Sequence, residues 1–362
     1  MSLGHHFASA ADLLQSKENA KELMTIQASK PSADSFIKPT LSVRIKAHLQ
    51  IMRLDHSIKN IFVLPGIIVP LSVLGTSRLS PHLGWNLVAG FIATTLIACS
   101  NYVLNEVLDA PFDRLHPKKQ NRPAAQGLVS VPFAYAQWLL MMVVGMALAL
   151  TISRDFAYTA GMLWIMGCLY NIPPIRTKDK VYLDVLSESV NNPLRMLLGW
   201  YMVTSLLVPP VSLLICYWMG GCYLMALKRF SEYREIGDPK VAGAYRKSFQ
   251  HYTEVSLLTS VVFYASAGML FFGAFIMRYR IELILVFPLV ALLMSTYFRL
   301  AFQPNSAAQN PEKLYREPRL MIEALLVAAS MIALLCINSI RTANAMSEVM
   351  YRGVAYFSRL AA

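Results

Sequence analysis

The chain has 362 residues, of which 56% are hydrophobic and 15% charged, with a formal net charge of +12 and a mean hydropathy of +0.45. That balance excludes an ordinary soluble domain of this size. The apolar residues are gathered into runs of about 20, the length that crosses a hydrocarbon core of about 30 Å as a helix, so lipid is the solvent for much of the chain.

Residues 1–42 are polar and have no apolar core, which predicts a cytoplasmic segment rather than a signal peptide. From Val43 to Lys59, Val43, Ala47, Ile51 and Leu54 recur at helical spacing with basic residues opposite. This predicts a helix lying on the membrane surface, with a plain solvated helix as the alternative. Nine hydrophobic spans follow: Ile61–Leu74, Gly84–Leu108, Pro132–Ile152, Phe156–Tyr170, Leu183–Leu206, Val211–Leu227, Val255–Ile276, Ile281–Ala301 and Leu320–Ile340. The expected fold is therefore all-α, a polytopic bundle of about nine transmembrane helices over residues 43–340, with a tail at 341–362. All five cysteines fall inside the spans, where a thiol behaves as a small hydrophobe, so no disulfide framework is expected.

Charge sets the orientation. The loops after spans two, four, six and eight carry seventeen basic residues, whereas those after spans one, three, five and seven carry only Arg78, Arg154, Arg278 and Arg280. The positive-inside rule then places the N-terminus and the four even loops in the cytoplasm and the C-terminus outside. The same asymmetry accounts for most of the net charge without invoking nucleic acid.

The candidate chemistry lies at the cytoplasmic end of the second span. Asn105 and Asp109 are four apart and share a helical face, Asp113 follows, and Pro111 is expected to break the helix between them. Oxygen-bearing groups converging beside water suit a hard cation such as Mg²⁺, which keeps waters and bridges to substrate phosphates. Caps paired with Arg114 or Lys118 are the alternative.

The run from Asn105 and Glu106 through Asp109 and Asp113, followed by Arg122, Pro123 and Gly127, resembles the first Asp-rich motif of the UbiA superfamily of intramembrane prenyltransferases. The resemblance implies that Asn105, Asp109 and Asp113 bind Mg²⁺ and a donor diphosphate, with Glu106 standing where the family usually has Asp. The second Asp-rich motif of typical prenyltransferases is missing. In its place are Lys228, Arg229 and Glu232, then Arg246, Lys247, Ser248 and Tyr252. With RLDHSIKNIFVLPG near the start, this looks like the branch typified by decaprenyl-phosphate phosphoribosyltransferase. That resemblance covers roughly Arg53 to Tyr252 and implies transfer of phosphoribose from phosphoribosyl diphosphate to a polyprenyl phosphate.

Such substrates carry phosphates beyond the diphosphate, and Lys59, Lys118, Lys119, Arg122, Lys228, Arg229, Arg246 and Lys247 are the candidate cations for them. Any single one can also be read as a snorkelling anchor or a positive-inside charge, Lys59 and Lys228 less readily than the others. Asp184, Glu106, Glu232 and Tyr252 are expected to contact ribose or support these groups. Glu188 and Arg195 are candidates for a buried ion pair. The attacking phosphate is already anionic, so His56, His116 and His251 are not required as bases.

Two other readings stay open: a prenyltransferase acting on an aromatic or other acceptor, and a transporter. The expected setting is the cell's inner (plasma) membrane, and the sequence leaves a homo-oligomer open. Met-rich stretches and the aromatics Trp138, Trp164, Tyr170, Trp200, Tyr201 and Trp218 are expected to face lipid or the interface.

Overall fold

The computed structural model describes residues 40–73, 82–114 and 119–335, apart from the side chains of Ile58, Pro311 and Glu312. The chain divides into two units, residues 1–43 and 44–362, and of the first only residues 40–43 are described. Residues 1–39 of the polar N-terminal segment, His116, Lys118 and the C-terminal tail lie outside the described residues.

Every described element is helical. The α-helices are α1 (Leu41–Gln50), α2 (Leu64–Val73), α3 (Leu83–Asp113), α4 (Val131–Ile152), α5 (Arg154–Asn171), α6 (Leu183–Ser189), α7 (Asn191–Val203), α8 (Val211–Ile236), α9 (Pro239–Tyr245), α10 (Glu254–Tyr279) and α11 (Phe287–Leu300), then α12 (Pro318–Leu335). Each expected span corresponds to one of them or to a broken pair. Six described helices are long and apolar enough to cross a membrane, or up to seven if a bent pair near the start counts as one span. Boundaries follow local chemistry. Pro132 starts α4, Ser153 caps α5 by accepting from the Phe156 N–H, and Thr253 with Ser256 forms a reciprocal capping box on α10.

Three expectations about the backbone and two about side chains are corrected. The surface helix does not run on to Lys59: Arg53 adopts a left-handed conformation with φ 52°, which ends the α-helical path and starts a 3-10 helix over Leu54–Val63. Of the expected apolar face Ala47 and Ile51 are buried within the protein, whereas Val43 and Leu54 are exposed. Pro111 does not end α3. It sits in the last turn, where the Arg114 N–H still closes onto the Ala110 carbonyl, so only one internal bond is lost. The span from Leu183 to Leu206 is interrupted at Val190, because Pro193 has no N–H to return to the Ser189 carbonyl. Tyr170 and Trp200 are buried rather than lipid-facing, Trp200 donating to the Leu207 carbonyl at 2.9 Å. Glu188 pairs with Lys59 at 3.7 Å and not with Arg195, whose described bond is to the Asn191 carbonyl at 3.5 Å.

Helices α2 and α7 meet backbone to backbone. A methyl group at Gly199 would collide with the Val63 carbonyl, and one at Gly66 with the Met196 carbonyl. Small residues at such crossings let membrane helices approach closely. Gly199→Ala is expected to force the pair apart and to cost about 1–3 kcal/mol, the usual toll of overpacking. A thermal melt in detergent checks this, and an unchanged midpoint would contradict the contact.

The four even loops meet at one face. Lys119 contacts Tyr245, Lys247 pairs with Asp179 at 3.9 Å, and Gln309 donates to Glu235 at 2.5 Å. Toward the other end, Arg280 donates to the Ser72 carbonyl at 3.1 Å.

Candidate functional site

Because α3 continues through Pro111, Asn105, Asp109 and Asp113 stand at i, i+4 and i+8 on one face of one helix. Each side chain is held. Asn105 Nδ2 donates to Asn171 Oδ1 at 2.6 Å. Asp109 Oδ1 receives Lys178 Nζ at 2.5 Å and Arg176 Nη2 at 3.0 Å. Asp113 Oδ2 receives Arg122 Nη1 at 2.6 Å.

The loop after α3 folds back over this face. The Arg114 Nε donates to the Ala125 carbonyl at 2.9 Å, and Gly127 turns the chain with φ 74°. That return brings Arg122 to Asp113, and the backbone N–H of Ala124 to the buried Glu106.

The opposite wall comes from the end of α8 and the segment that follows it. Asp184, with 0% exposure, is its hub. Tyr252 Oη donates to Asp184 Oδ1 at 2.8 Å while accepting the Tyr182 N–H at 2.7 Å. Asp184 Oδ2 takes Ser248 Oγ at 3.2 Å, Arg229 Nε at 3.3 Å and Arg246 Nη1 at 3.5 Å. Arg229 also reaches Glu232 at 3.0 Å. Lys228 has no ion pair among the described residues and lies within electrostatic reach of Glu232, Lys59 and Lys119.

Lys119 links the two walls. Its ammonium sits 4.6 Å from the Tyr245 ring centroid and feels Glu232, Arg246 and Asp113. Burial pulls its pKa down from 10.5 to about 8, with Glu232 working against that fall. Burial likewise brings Lys178 to about 8 against the pull of Asp109. Arg246 stays firmly charged despite its burial, because Tyr170, Tyr245, Glu232 and Asp184 surround it.

These contacts join most of the expected site residues into one polar network, with Lys247 exposed at its edge and Lys118 outside the described residues. Arg176, Lys178, Asn171 and Tyr245 belong to the network too, although sequence reasoning did not single them out. Arg176 and Lys178 were visible only as positive-inside charges. Their nearness to Pro173 and Pro174 at a helix end was the one signal that they sit on a fixed turn.

Among the described residues no three His, Cys, Asp or Glu side chains form a group able to hold a metal by themselves. The α3 face nevertheless fits a hard divalent cation. The ion pairs engage Oδ1 of Asp109 and Oδ2 of Asp113, so each carboxylate has a second oxygen to offer. One or two carboxylates completed by water and substrate phosphate are what Mg²⁺ takes.

Known proteins support this architecture. The model of the UbiA prenyltransferase family matches residues 62–322. An uncharacterized protein of Sinorhizobium fredii, y4nM, is 29% identical over 163 residues, 45% of this chain and 30% of that protein. Protoheme IX farnesyltransferase 2 of Vibrio parahaemolyticus is 25% identical over 162 residues, 43% of this chain and 56% of the relative. The protoheme IX farnesyltransferase of Aliivibrio salmonicida is 24% identical over 193 residues, 52% and 65% of the two chains. This chain thus spans less than two thirds of the length of each of these relatives.

Among solved structures, a UbiA homolog from Archaeoglobus fulgidus bound to GPP and Mg²⁺ superposes with a TM-score of 0.61 at 20% identity, covering 80% of this chain and 99% of that one. A digeranylgeranylglyceryl phosphate synthase superposes with a TM-score of 0.56 at 14% identity, covering 82% and 99%. At these identities the structures speak for the fold, while the family match extends over most of the chain. This multi-pass membrane protein belongs to the UbiA prenyltransferase family, a family of membrane transferases.

Proposed function

We propose that this enzyme transfers phosphoribose from phosphoribosyl diphosphate to a polyprenyl phosphate, releasing diphosphate at the cytoplasmic face of the plasma membrane. The observation that carries the reading is the basic wall opposite α3. Where a second metal would call for carboxylates, the polar network places Lys228, Arg229 and Arg246, the two arginines paired with the buried Asp184. A donor with a separate 5-phosphate and an acceptor with its own phosphate need such cations.

In this reading Asp109 and Asp113, with Asn105, hold Mg²⁺, which when bound neutralises the diphosphate and favours its departure. Lys119, Arg122, Lys228 and Arg229 orient phosphates, joined by Arg246 and, at the rim, Lys247. Lys118 joins them from outside the described residues. Lys59, across from Lys228, takes the acceptor phosphate. A phosphate oxygen of the acceptor bonds to the anomeric carbon as the bond from that carbon to the diphosphate oxygen breaks, so no proton has to be removed. Glu106, Glu232, Asp184 and Tyr252 support the residues in contact with substrate.

Purified protein incubated with Mg²⁺, labelled phosphoribosyl diphosphate and a polyprenyl phosphate, then extracted into organic solvent, tests this directly. Label in the lipid phase that EDTA abolishes supports the reading, and none there beside an active control enzyme overturns it. Transfer of a prenyl group from a prenyl diphosphate is the second reading. It is favoured by the farnesyltransferase relatives and by the GPP-bound homolog, and consumption of labelled prenyl diphosphate with an added acceptor would establish it.

The lowered pKa of Lys119 yields a pH prediction. The side chain is cationic below about 8 and loses its charge above it, so kcat/KM for the anionic donor falls as pH rises through that value. The expected drop is about tenfold, the worth of one charge-assisted hydrogen bond. Lys119→Arg keeps its charge and should leave only the part of the fall that Lys178, brought to about 8 by the same burial, contributes. An unchanged profile in that variant would remove Lys119 from the donor site.

A further inference from the structure

Asn171 is the last residue of α5 and is 3% exposed. Its Nδ2 donates to the Gly167 carbonyl at 2.9 Å. A backbone carbonyl only accepts, so this bond fixes which end of the Asn171 amide is nitrogen. Its Oδ1 is thereby committed to the other side, where it accepts from Asn105 Nδ2 at 2.6 Å and Lys178 Nζ at 2.8 Å. Asn105 in turn gives one of its two amide N–H groups to Asn171, which leaves its own Oδ1 on the other branch of the amide.

We propose that Asn171 is a positioning residue that sets the Asn105 amide to offer oxygen rather than N–H beside Asp109 and Asp113, giving the α3 face three oxygen donors for a hard divalent cation. The inference rests on the reading that this face holds the metal. Without Asn171, the two orientations of the Asn105 amide become comparable in energy, and one of them turns an N–H toward the cation. Partners that orient metal ligands from behind are typically worth about 10- to 100-fold in metal affinity.

Mn²⁺ binding to the full-length protein in detergent, followed by electron paramagnetic resonance in the presence of inorganic diphosphate, tests the assignment without turnover. Asn171→Leu is expected to weaken Mn²⁺ binding about tenfold, and Asn105→Ala by a similar factor. The double variant should be no weaker than either single one, since both changes remove the same oxygen. A merely structural role for Asn171 would give additive losses, and additivity or unchanged binding in Asn171→Leu overturns the proposal. If Asn171→Leu loses its melting transition, Asn171→Asp decides the matter. It keeps the acceptor and should hold Mn²⁺ within about threefold of the parent, so a loss as large as that of Asn105→Ala sinks the idea. Asp113→Asn separates the two layers of the argument. Mn²⁺ binding that survives it overturns the metal reading itself, whereas binding lost there but intact in Asn171→Leu overturns only the role of Asn171.

Discussion

Asp109→Asn is expected to lower kcat by about 10³-fold while leaving the protein folded. Asparagine keeps the size of the side chain and an oxygen to accept from Lys178 and Arg176, which now sit 2.5 and 3.0 Å from Oδ1, so packing at the end of α3 survives. What disappears is the negative charge. In the proposed function that charge holds the divalent cation against the donor diphosphate, and without it Lys178 loses its carboxylate partner while Arg176 keeps only Asp179, at 3.1 Å. Removing one preorganised electrostatic partner of a developing charge commonly costs about 10²–10³-fold in rate, and a lost metal ligand belongs at the upper end. The assay is phosphoribosyl transfer across a Mg²⁺ titration, with a melt in detergent as the fold control. Full turnover in Asp109→Asn would show that the α3 carboxylates are the structural caps the sequence also allowed.

Asp184→Ala is expected to destabilise the protein by about 3–5 kcal/mol, the usual cost of removing one partner from a buried ion pair. Asp184 has no exposed surface and gathers Arg229, Arg246, Ser248 and Tyr252. Truncation leaves two guanidinium groups close together in the protein interior with less counter-charge. Tyr252→Phe removes only one donor and should cost about 1–3 kcal/mol, the penalty of leaving a buried acceptor short of a partner. Unfolding midpoints in detergent give both values. If Asp184→Ala matched the parent in stability but lost donor affinity, the carboxylate would act on the substrate's ribose rather than on the arginines.

These two acidic residues show how unevenly the site is written into the sequence. Asp109 was legible because its partners in function are on its own helix. The spacing of Asn105, Asp109 and Asp113 is a property of helical periodicity, and correcting the expected break at Pro111 only extended the same face by a turn. Asp184 was visible as an acid at the start of a span. Its surroundings come from α8 and from the segment after α9, dozens of residues away, and no periodicity encodes them. The Glu188 and Arg195 pairing failed for the same reason: proximity along one helix suggested it, whereas the 3-10 helix packed alongside supplied Lys59 to Glu188 instead.

The sequence by itself determined the solvent, the rough limits of the apolar runs, the unequal charge of the loops between them and the acidic face of α3. These follow from local hydrophobicity, loop charge and the turn of a helix, all of which are properties of neighbours in the chain. Only the tertiary structure decided that Lys178 and Arg176 close on Asp109, that Asn171 accepts from the Asn105 amide, and that Asp184 pairs with Arg229 and Arg246. Those outcomes depend on which helices lie side by side, and a buried charge takes the nearest opposite partner in space whatever its distance in sequence.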